Sequence, residues 1–148
     1  DQIYYMEKNK IDFSYTNYHS FKDGERNLKK IAIPTKMNFL SFVKNTSIAT
    51  STMMVKRSLV KKIKFTNTKI CEDYFYKCMI LKKTDYAFCL EKFLTKYRIR
   101  KNSLQSNRLN NLYWIWKINK QYNDFSFLKN LKSIFFISLN SLRKYGLK

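Results

Sequence analysis

Glycine and proline are nearly missing from this chain, at 2 and 1 in 148 residues, where globular proteins average roughly 7% and 5%. Turn formers this sparse, with Asp1 rather than Met at the start, make the sequence read as part of something larger. Cysteine is scarce and odd in number. Cys71, Cys78 and Cys89 follow no metal-ligand spacing and cannot complete a disulfide framework, so a disulfide-stapled secreted scaffold is disfavoured and a reducing compartment is the default. His19 is the single histidine, without a Cys or second His at ligand spacing, so no metal ligands are expected. No apolar run approaches the roughly 20 residues needed to cross a bilayer, and the opening DQIYYMEKNKIDF lacks a signal-peptide pattern.

What is present is a core. Hydrophobic types make up 45% of the chain and aromatics 17%, enough for one domain and against a disordered chain. Charge is lopsided: 30 Lys and Arg against 10 Asp and Glu give +20. Residues 1–30 carry 6 basic and 5 acidic residues, whereas 31–148 carry 24 and 5. That asymmetry points to an anionic partner such as a phosphate, nucleic acid or membrane surface, without choosing among them. A Lys- and Asn-rich composition also arises from genome-wide codon preference.

Hydrophobic periodicity places the elements. Asp1 to Asn9 reads as the end of a helix with Ile3, Met6 and Tyr4 on one side, and Asp12 to His19 as a strand. Asp23-Gly24 is the strongest turn signal. Lys29 to Ile33 is a short strand stopped by Pro34, and Thr35 to Val43 looks helical with Phe39, Leu40 and Val43 on one face. Residues 51–58 are extended and lead into a short helix, and Phe65 to Ile70 is a loop. Glu72 to Lys83 is a helix with acids first and lysines last, the order that the backbone dipole favours. Its apolar residues nearly encircle it, which predicts a helix sandwiched between other elements. Residues 85–90 and 93–98 form either a strand pair or a strand and an extended segment. Leu109, Leu112, Tyr113 and Trp116 mark one face of a further helix. A last helix starts near Ser126 and runs through Leu128, Leu131, Phe135 and Leu142.

The order of three motifs is recognisable. ATSTMMVKRSLV (49–60), CEDYFYKCMILKK (71–83) and DYAFCLEKFLTKYRIRKNSLQSN (85–107) together resemble the back half of a bacterial family 2 glycosyltransferase of the GT-A fold, over about residues 1–125. The resemblance implies an α/β fold with a partial GT-A-like mixed sheet, flanking helices and a helical C-terminal extension. It divides the chain into 1–107, the C-terminal part of the glycosyltransferase domain, and 108–148, the extension. It also implies an absence: the nucleotide-binding βαβ region and the metal-holding Asp-x-Asp motif do not occur here. On that reading the chain is a fragment, the partner of a separately encoded half, or a relic. The Mg²⁺ or Mn²⁺ expected for an intact enzyme has no Asp-x-Asp site in these residues.

By resemblance, Asp73 matches the family's general base, with Glu72 beside it to bind sugar or position it. The alternative is that both carboxylates merely open a helix. Thr50, Ser51, Thr52 and Arg57 resemble the acceptor-binding segment, although β-branched threonine beside Met53, Met54 and Val55 is also ordinary strand composition. Tyr97, Arg98, Arg100, Asn102 and Ser103 match the patch facing the donor diphosphate, where cations offset charge on the departing group. A solvated basic loop is the plainer reading. The chain departs from the family at three positions. Cys71 replaces a common Gly, Arg100 a common His, and Lys77 a common Trp, the last expected to disturb packing because lysine is rarely buried unpaired. The resemblance places a sugar-sized hollow beside Asp73, within reach of Arg98.

The expected function, as the resemblance implies, is an inverting transfer from a nucleotide sugar to a surface polysaccharide or other glycan, or to a lipid-linked acceptor. The place is the cytoplasm, peripheral to the inner face of the cell membrane if the cationic last helix meets an anionic leaflet. The competing readings are a non-catalytic basic module for nucleic acid or membrane, and an inactive remnant. Nucleic acid is disfavoured because Tyr113 and Trp116 are expected to face the core and Glu72-Asp73 would oppose phosphates.

Overall fold

The strand expected at Asp12 to His19 is β1, Phe13–Lys22, and most of it is buried, polar residues included. Such a strand needs neighbours on both edges and cover on both faces. The computed structural model, which describes residues 1–24, 27–66, 68, 70–100 and 107–146, supplies them. β5, Ala87–Ile99, runs parallel to β1 along one edge. On the other edge two short strands pair antiparallel, β2 (Lys29–Ile31) opposite Tyr18–Ser20 and β4 (Met54–Val55) opposite Phe13–Ser14. β3, Lys36–Met37, closes the far side of β5, giving the order β2-β1-β5-β3 with β4 on β1. The fold is α/β, a mixed sheet flanked by helices with a helical C-terminal extension.

Buried polar side chains of β1 tie down the connections. Asn17 Oδ1 accepts from the Ile33 N–H at 3.0 Å, and the Tyr15 hydroxyl donates to the Pro34 carbonyl at 2.7 Å. Cys89 N–H bonds to the Thr35 carbonyl at 2.7 Å, drawing that segment onto the sheet. Thr35 to Val43 is consequently not one helix. It gives β3, then a capping box in which Asn38 and Ser41 satisfy one another's backbone N–H groups, then the single turn α2, Phe39–Phe42. Phe42 and Val43 face the core and Leu40 is exposed. The two elements expected at 85–98 are one strand, because β5 absorbs register shifts opposite Thr16–Tyr18 instead of breaking.

Helices cover the sheet. α1 (Gln2–Lys8) buries Met6 but leaves Ile3 and Tyr4 exposed, correcting the expected shared face. A 3-10 turn at Thr50–Thr52 precedes β4, and α3 (Arg57–Val60) follows it. α4, Glu72–Leu81, is sandwiched as its apolar circumference requires, burying Tyr74, Phe75, Cys78, Ile80 and Leu81. It starts from Cys71 at φ 62°, a left-handed conformation that glycine adopts freely and other residues adopt under strain. All three cysteines are buried and free. Burial raises the thiols of Cys71 and Cys78 to about 12 and that of Cys89 to about 11, so they stay protonated and act as small hydrophobes.

The extension consists of α5, Arg108–Tyr122, and α6, Phe127–Tyr145. The face of α5 differs in part from expectation. Leu109 and Tyr113 are exposed, Leu112 packs half-buried against the core and Trp116 is half-buried, whereas Ile115, Ile118 and Asn119 are buried. An apolar count misses this stripe because Asn119 occupies its centre. That amide is satisfied on all sides: its Oδ1 accepts from the Tyr74 hydroxyl at 2.7 Å and Asn123 Nδ2 at 2.9 Å. Its Nδ2 donates to Asn130 Oδ1 at 3.0 Å and Ser133 Oγ at 3.1 Å. Ser133 in turn donates to the Val43 carbonyl at 2.5 Å. α4, α5, α6 and the end of α2 therefore meet at one side chain.

Asn119→Ala leaves buried donors and acceptors from three helices without partners, and is expected to lower the unfolding free energy in urea by about 3 kcal/mol. At the start of α4, Cys71→Val keeps the positive φ and adds a β-branch, whereas Cys71→Gly relieves it. Thermal denaturation should place the Val variant about 4–8 °C below the Gly variant.

Candidate functional site

The first turn of α4 carries two carboxylates that fare differently. Glu72 projects into solvent, and its side chain makes no bond among the described residues. Asp73 turns back toward the 3-10 segment, where its Oδ2 accepts from Thr50 Oγ1 at 3.0 Å and from Lys77 Nζ at 2.8 Å. The remaining oxygen, Oδ1, is taken up by neither donor. The side chain is 31% exposed, so the carboxylate is open to solvent on one side.

Lys77 is one helical turn on from Asp73, on the same face. It is buried, but not unpaired as feared from its place in the sequence. Its ammonium donates to Asp73, to the Ile48 carbonyl at 3.0 Å and to Thr50 Oγ1 at 3.2 Å. The expected disturbance of packing is thereby corrected: the cation has three acceptors, and Phe42 lies under it at 5.9 Å. Burial pushes the Asp73 carboxyl upward, but the Lys77 charge, hydrogen bonds from Lys77 and Thr50, and the Tyr74 N–H outweigh it. The net result lies below the ordinary carboxylate value, and Asp73 is ionised at neutral pH.

Of Thr50, Ser51, Thr52 and Arg57, expected to bind acceptor, Thr50 is the one that joins Asp73. Ser51 and Arg57 are exposed, and buried Thr52 spends its hydroxyl on the Ala49 carbonyl at 2.8 Å. The Thr52 carbonyl accepts from Gln2 Nε2, which also donates to Ser14 Oγ. This anchors the segment at the beginning of β1.

The second group lies at the other end of the sheet. Arg98 pairs in register with Phe21, seven residues beyond Ser14, a strand rise of about 23 Å. Its Nε makes an exposed ion pair with Asp23 Oδ1 at 3.6 Å beside the Asp23-Gly24 turn. Tyr97 packs against Tyr18 with ring centroids 5.8 Å apart, and Arg100 is exposed just past β5. Asn102 and Ser103 lie outside the described residues. The expected reach between Arg98 and Asp73 is thereby corrected: the two groups lie toward opposite ends of the ladder, and no bond connects them among the described residues. A hollow lined by Met6, Lys10, Asp12, Met54 and Lys56 contains none of the expected site residues.

Two features were not legible. Lys77 as the partner of Asp73 was signalled only by the i, i+4 spacing of opposite charges. On α5, Lys117 lies over Tyr113, which is exposed where a core-facing side chain is expected, and over half-buried Trp114, at 4.9 and 5.0 Å. Among the described residues no group of three or more His, Cys, Asp or Glu could hold a metal, and the sequence has no Asp-x-Asp. His19 packs against Phe93, 5.0 Å between centroids.

No family model matches the chain. Curated proteins do. The chain is 27% identical over 129 residues to TuaG of Bacillus subtilis (strain 168), a glycosyltransferase named for teichuronic acid biosynthesis, covering 86% of this chain and 51% of TuaG. It is 30% identical over 118 residues (79% and 46%) to WfgD of Escherichia coli, and 33% identical over 112 residues (76% and 44%) to WfaP of the same species. Those two carry the name UDP-Glc:alpha-D-GlcNAc-diphosphoundecaprenol beta-1,3-glucosyltransferase. The chain spans about half the length of the curated relatives it matches. Over the aligned part, and at low identity, it is a homologue of family 2 glycosyltransferases.

Proposed function

We propose that this chain is the acceptor-side part of an inverting glycosyltransferase that moves a sugar from a nucleotide donor to a glycan or lipid-linked acceptor in surface-polysaccharide assembly. The observation that carries the reading is the ionised Asp73 carboxylate in the first turn of α4, with Oδ2 held by Thr50 and Lys77 and the side chain partly open to solvent. Homology to family 2 glycosyltransferases supports it. Asp73 Oδ1 takes the proton of an acceptor hydroxyl as that oxygen bonds to the anomeric carbon. The anomeric bond to the diphosphate breaks, and the nucleoside diphosphate leaves with the electron pair.

Exposed Glu72, Ser51 and Arg57, with Thr50 and Thr52, form the acceptor side in this proposal. Tyr97, Arg98 and Arg100, expected at the donor diphosphate, belong to the far end of the β1–β5 ladder, and no step is assigned to them or to Asn102 and Ser103. Residues 1–107 then belong to the transferase domain and 108–148 to its extension, and the reaction takes place at the cytoplasmic face of a membrane. The Mg²⁺ or Mn²⁺ of an intact enzyme does not fit the residues described, which offer no acidic cluster, and no step is assigned to it.

Lys77 tunes this base. A cation 2.8 Å away stabilises the carboxylate and reduces its appetite for a proton, so transfer falls late, once the hydroxyl has become acidic through bonding to carbon. Asp73→Asn is expected to reduce sugar transfer by the chain, supplied with a donor-binding half, by about 10²–10⁴-fold. Lys77→Met should move the acid limb of the pH–rate profile to higher pH, because the carboxylate loses the partner that depresses its pKa. Turnover indifferent to Asp73→Asn would remove the catalytic assignment. An acceptor saccharide that perturbs no amide signal of residues 50–52 or 72–73 would remove the binding assignment.

The stability of the fold is linked to the same pair. A depressed carboxylate contributes stability that is complete above its unfolded value near 3.8 and is lost as pH falls through the lower folded value. Urea midpoints should fall below about pH 4 in the parent. In Asp73→Asn this part of the acid dependence should disappear.

A second reading rests on exposed Tyr113 and half-buried Trp114 with Lys117 across both rings, where bases could stack. It predicts binding to unrelated single strands that weakens steeply with salt and is reduced by Tyr113→Ala.

A further inference from the structure

α6 is attached the wrong way round for an ordinary surface helix. The face it turns to the protein is largely polar. Asn130 and Ser133 are buried against Asn119, and Asn130 Nδ2 also donates to the Trp116 carbonyl at 2.9 Å. Farther along, Asn140 Nδ2 donates to the Lys44 carbonyl at 3.0 Å, and Lys144 Nζ donates to Asn45 Oδ1 at 3.0 Å and to Ser47 Oγ. Ile137 is the buried apolar residue among them.

The large apolar side chains point outward instead. Phe127 is 68% exposed, Leu128 69%, Leu131 50%, Phe135 63% and Leu142 38%. At 100° per residue they share an arc of about 100° on one side of the helix. Lys132 and Arg143 border that arc on one side, whereas Lys129, farther round the helix, lies over the Phe125 ring at 4.3 Å. Lys132 and Arg143 form no ion pair among the described residues, and the sequence from Ser126 to Lys148 contains no Asp or Glu.

We propose that this outward face of α6 is a docking surface for an anionic lipid leaflet, the Phe and Leu side chains entering the acyl boundary while Lys132 and Arg143 meet headgroup phosphates. Charge decides between occupants. A second copy of the chain would bring one +20 body against another, with like-charged borders facing each other. An anionic bilayer matches both halves of the pattern, apolar arc and cationic border. No described helix is long and apolar enough to cross a membrane, so the contact lies along the surface. The hydrogen bonds on the opposite face hold the helix to the domain while its apolar side is occupied. This inference deepens the membrane placement proposed above, and its test uses neither donor nor acceptor, so its failure and that of the Asp73 assignment are separate results.

The test is cosedimentation of the full 148-residue chain with vesicles of phosphatidylcholine alone or with 30 mol% phosphatidylglycerol. Binding is expected to the anionic vesicles, at least tenfold weaker to the neutral ones, and to decline with salt. Leu131→Ser/Phe135→Ser leaves the net charge at +20 and touches no inward hydrogen bond, so circular dichroism should be unchanged while binding drops about tenfold. Lys132→Gln/Arg143→Gln should reduce binding more than the equally charged control Lys61→Gln/Lys62→Gln on a distant segment. Binding unaffected by the Leu131/Phe135 pair would mean that the body charge alone attracts lipid and would overturn the proposal. Absence of binding to anionic vesicles, or a dimer in sedimentation velocity that the same pair dissolves, would overturn it too.

Discussion

The arrangement of the helices depends on one buried amide. Asn119 has two donors and two acceptor positions, and each is met by a different side chain. Buried amides are tolerable only when satisfied in this way, because every missing bond carries the desolvation cost of an unpaired polar group. Rotation of α5 about its axis would break bonds to α4 and α6 together. Rotation of α6 would strand Asn130 and Ser133. The network therefore fixes more than the positions of helices; it selects which face of each one is turned to solvent. The outward apolar arc of α6 is the complement of an inward face committed to hydrogen bonds.

A second buried polar contact performs a comparable role around α4. Lys77 is 4% exposed and has Asp73, Ile48 and Thr50 as acceptors. A cation in such a place is stable only while its carboxylate stays charged. This couples packing beneath the helix to the protonation of the residue proposed to handle the acceptor's proton. Thr50, donating to one partner and accepting from the other, brings the 3-10 turn into the same unit. The chemistry and the local fold thus share three side chains, and no change at one of them is purely functional or purely structural.

Much of this was readable beforehand, for definable reasons. Strand β1, helix α4, the presence of α5 and the start of α6 follow from runs of apolar and aromatic residues long enough to declare a period. The motif order around Cys71–Lys83 pointed to glycosyltransferase homology, and the positive φ at Cys71 explains why glycine suits that position. What stayed hidden was carried by polar residues. Asn119, Asn130 and Ser133 are invisible to a hydrophobic pattern, so α5 was given a partly wrong inner face and α6 no preferred one. Lys77 looked like a packing fault because its partner lay within the residues already assigned a catalytic role. The short β3 depended on a backbone bond to Cys89, more than fifty positions away, which no local window contains.

The parallel pairing of β1 with β5 bears on how the molecule comes into being. Ser14 meets Phe88 and Lys22 meets Ile99, so the central ladder joins residues more than seventy positions apart. Closing a loop of that length precedes any gain from the contacts it permits, which makes the step entropically late. During synthesis β2 and β4 follow β1 closely, whereas the edge of β1 that takes β5 waits for nearly the whole intervening chain. The interval between translation of Lys22 and of Ile99 is when this protein is most open to misassociation, and a chaperone's contribution would be concentrated there.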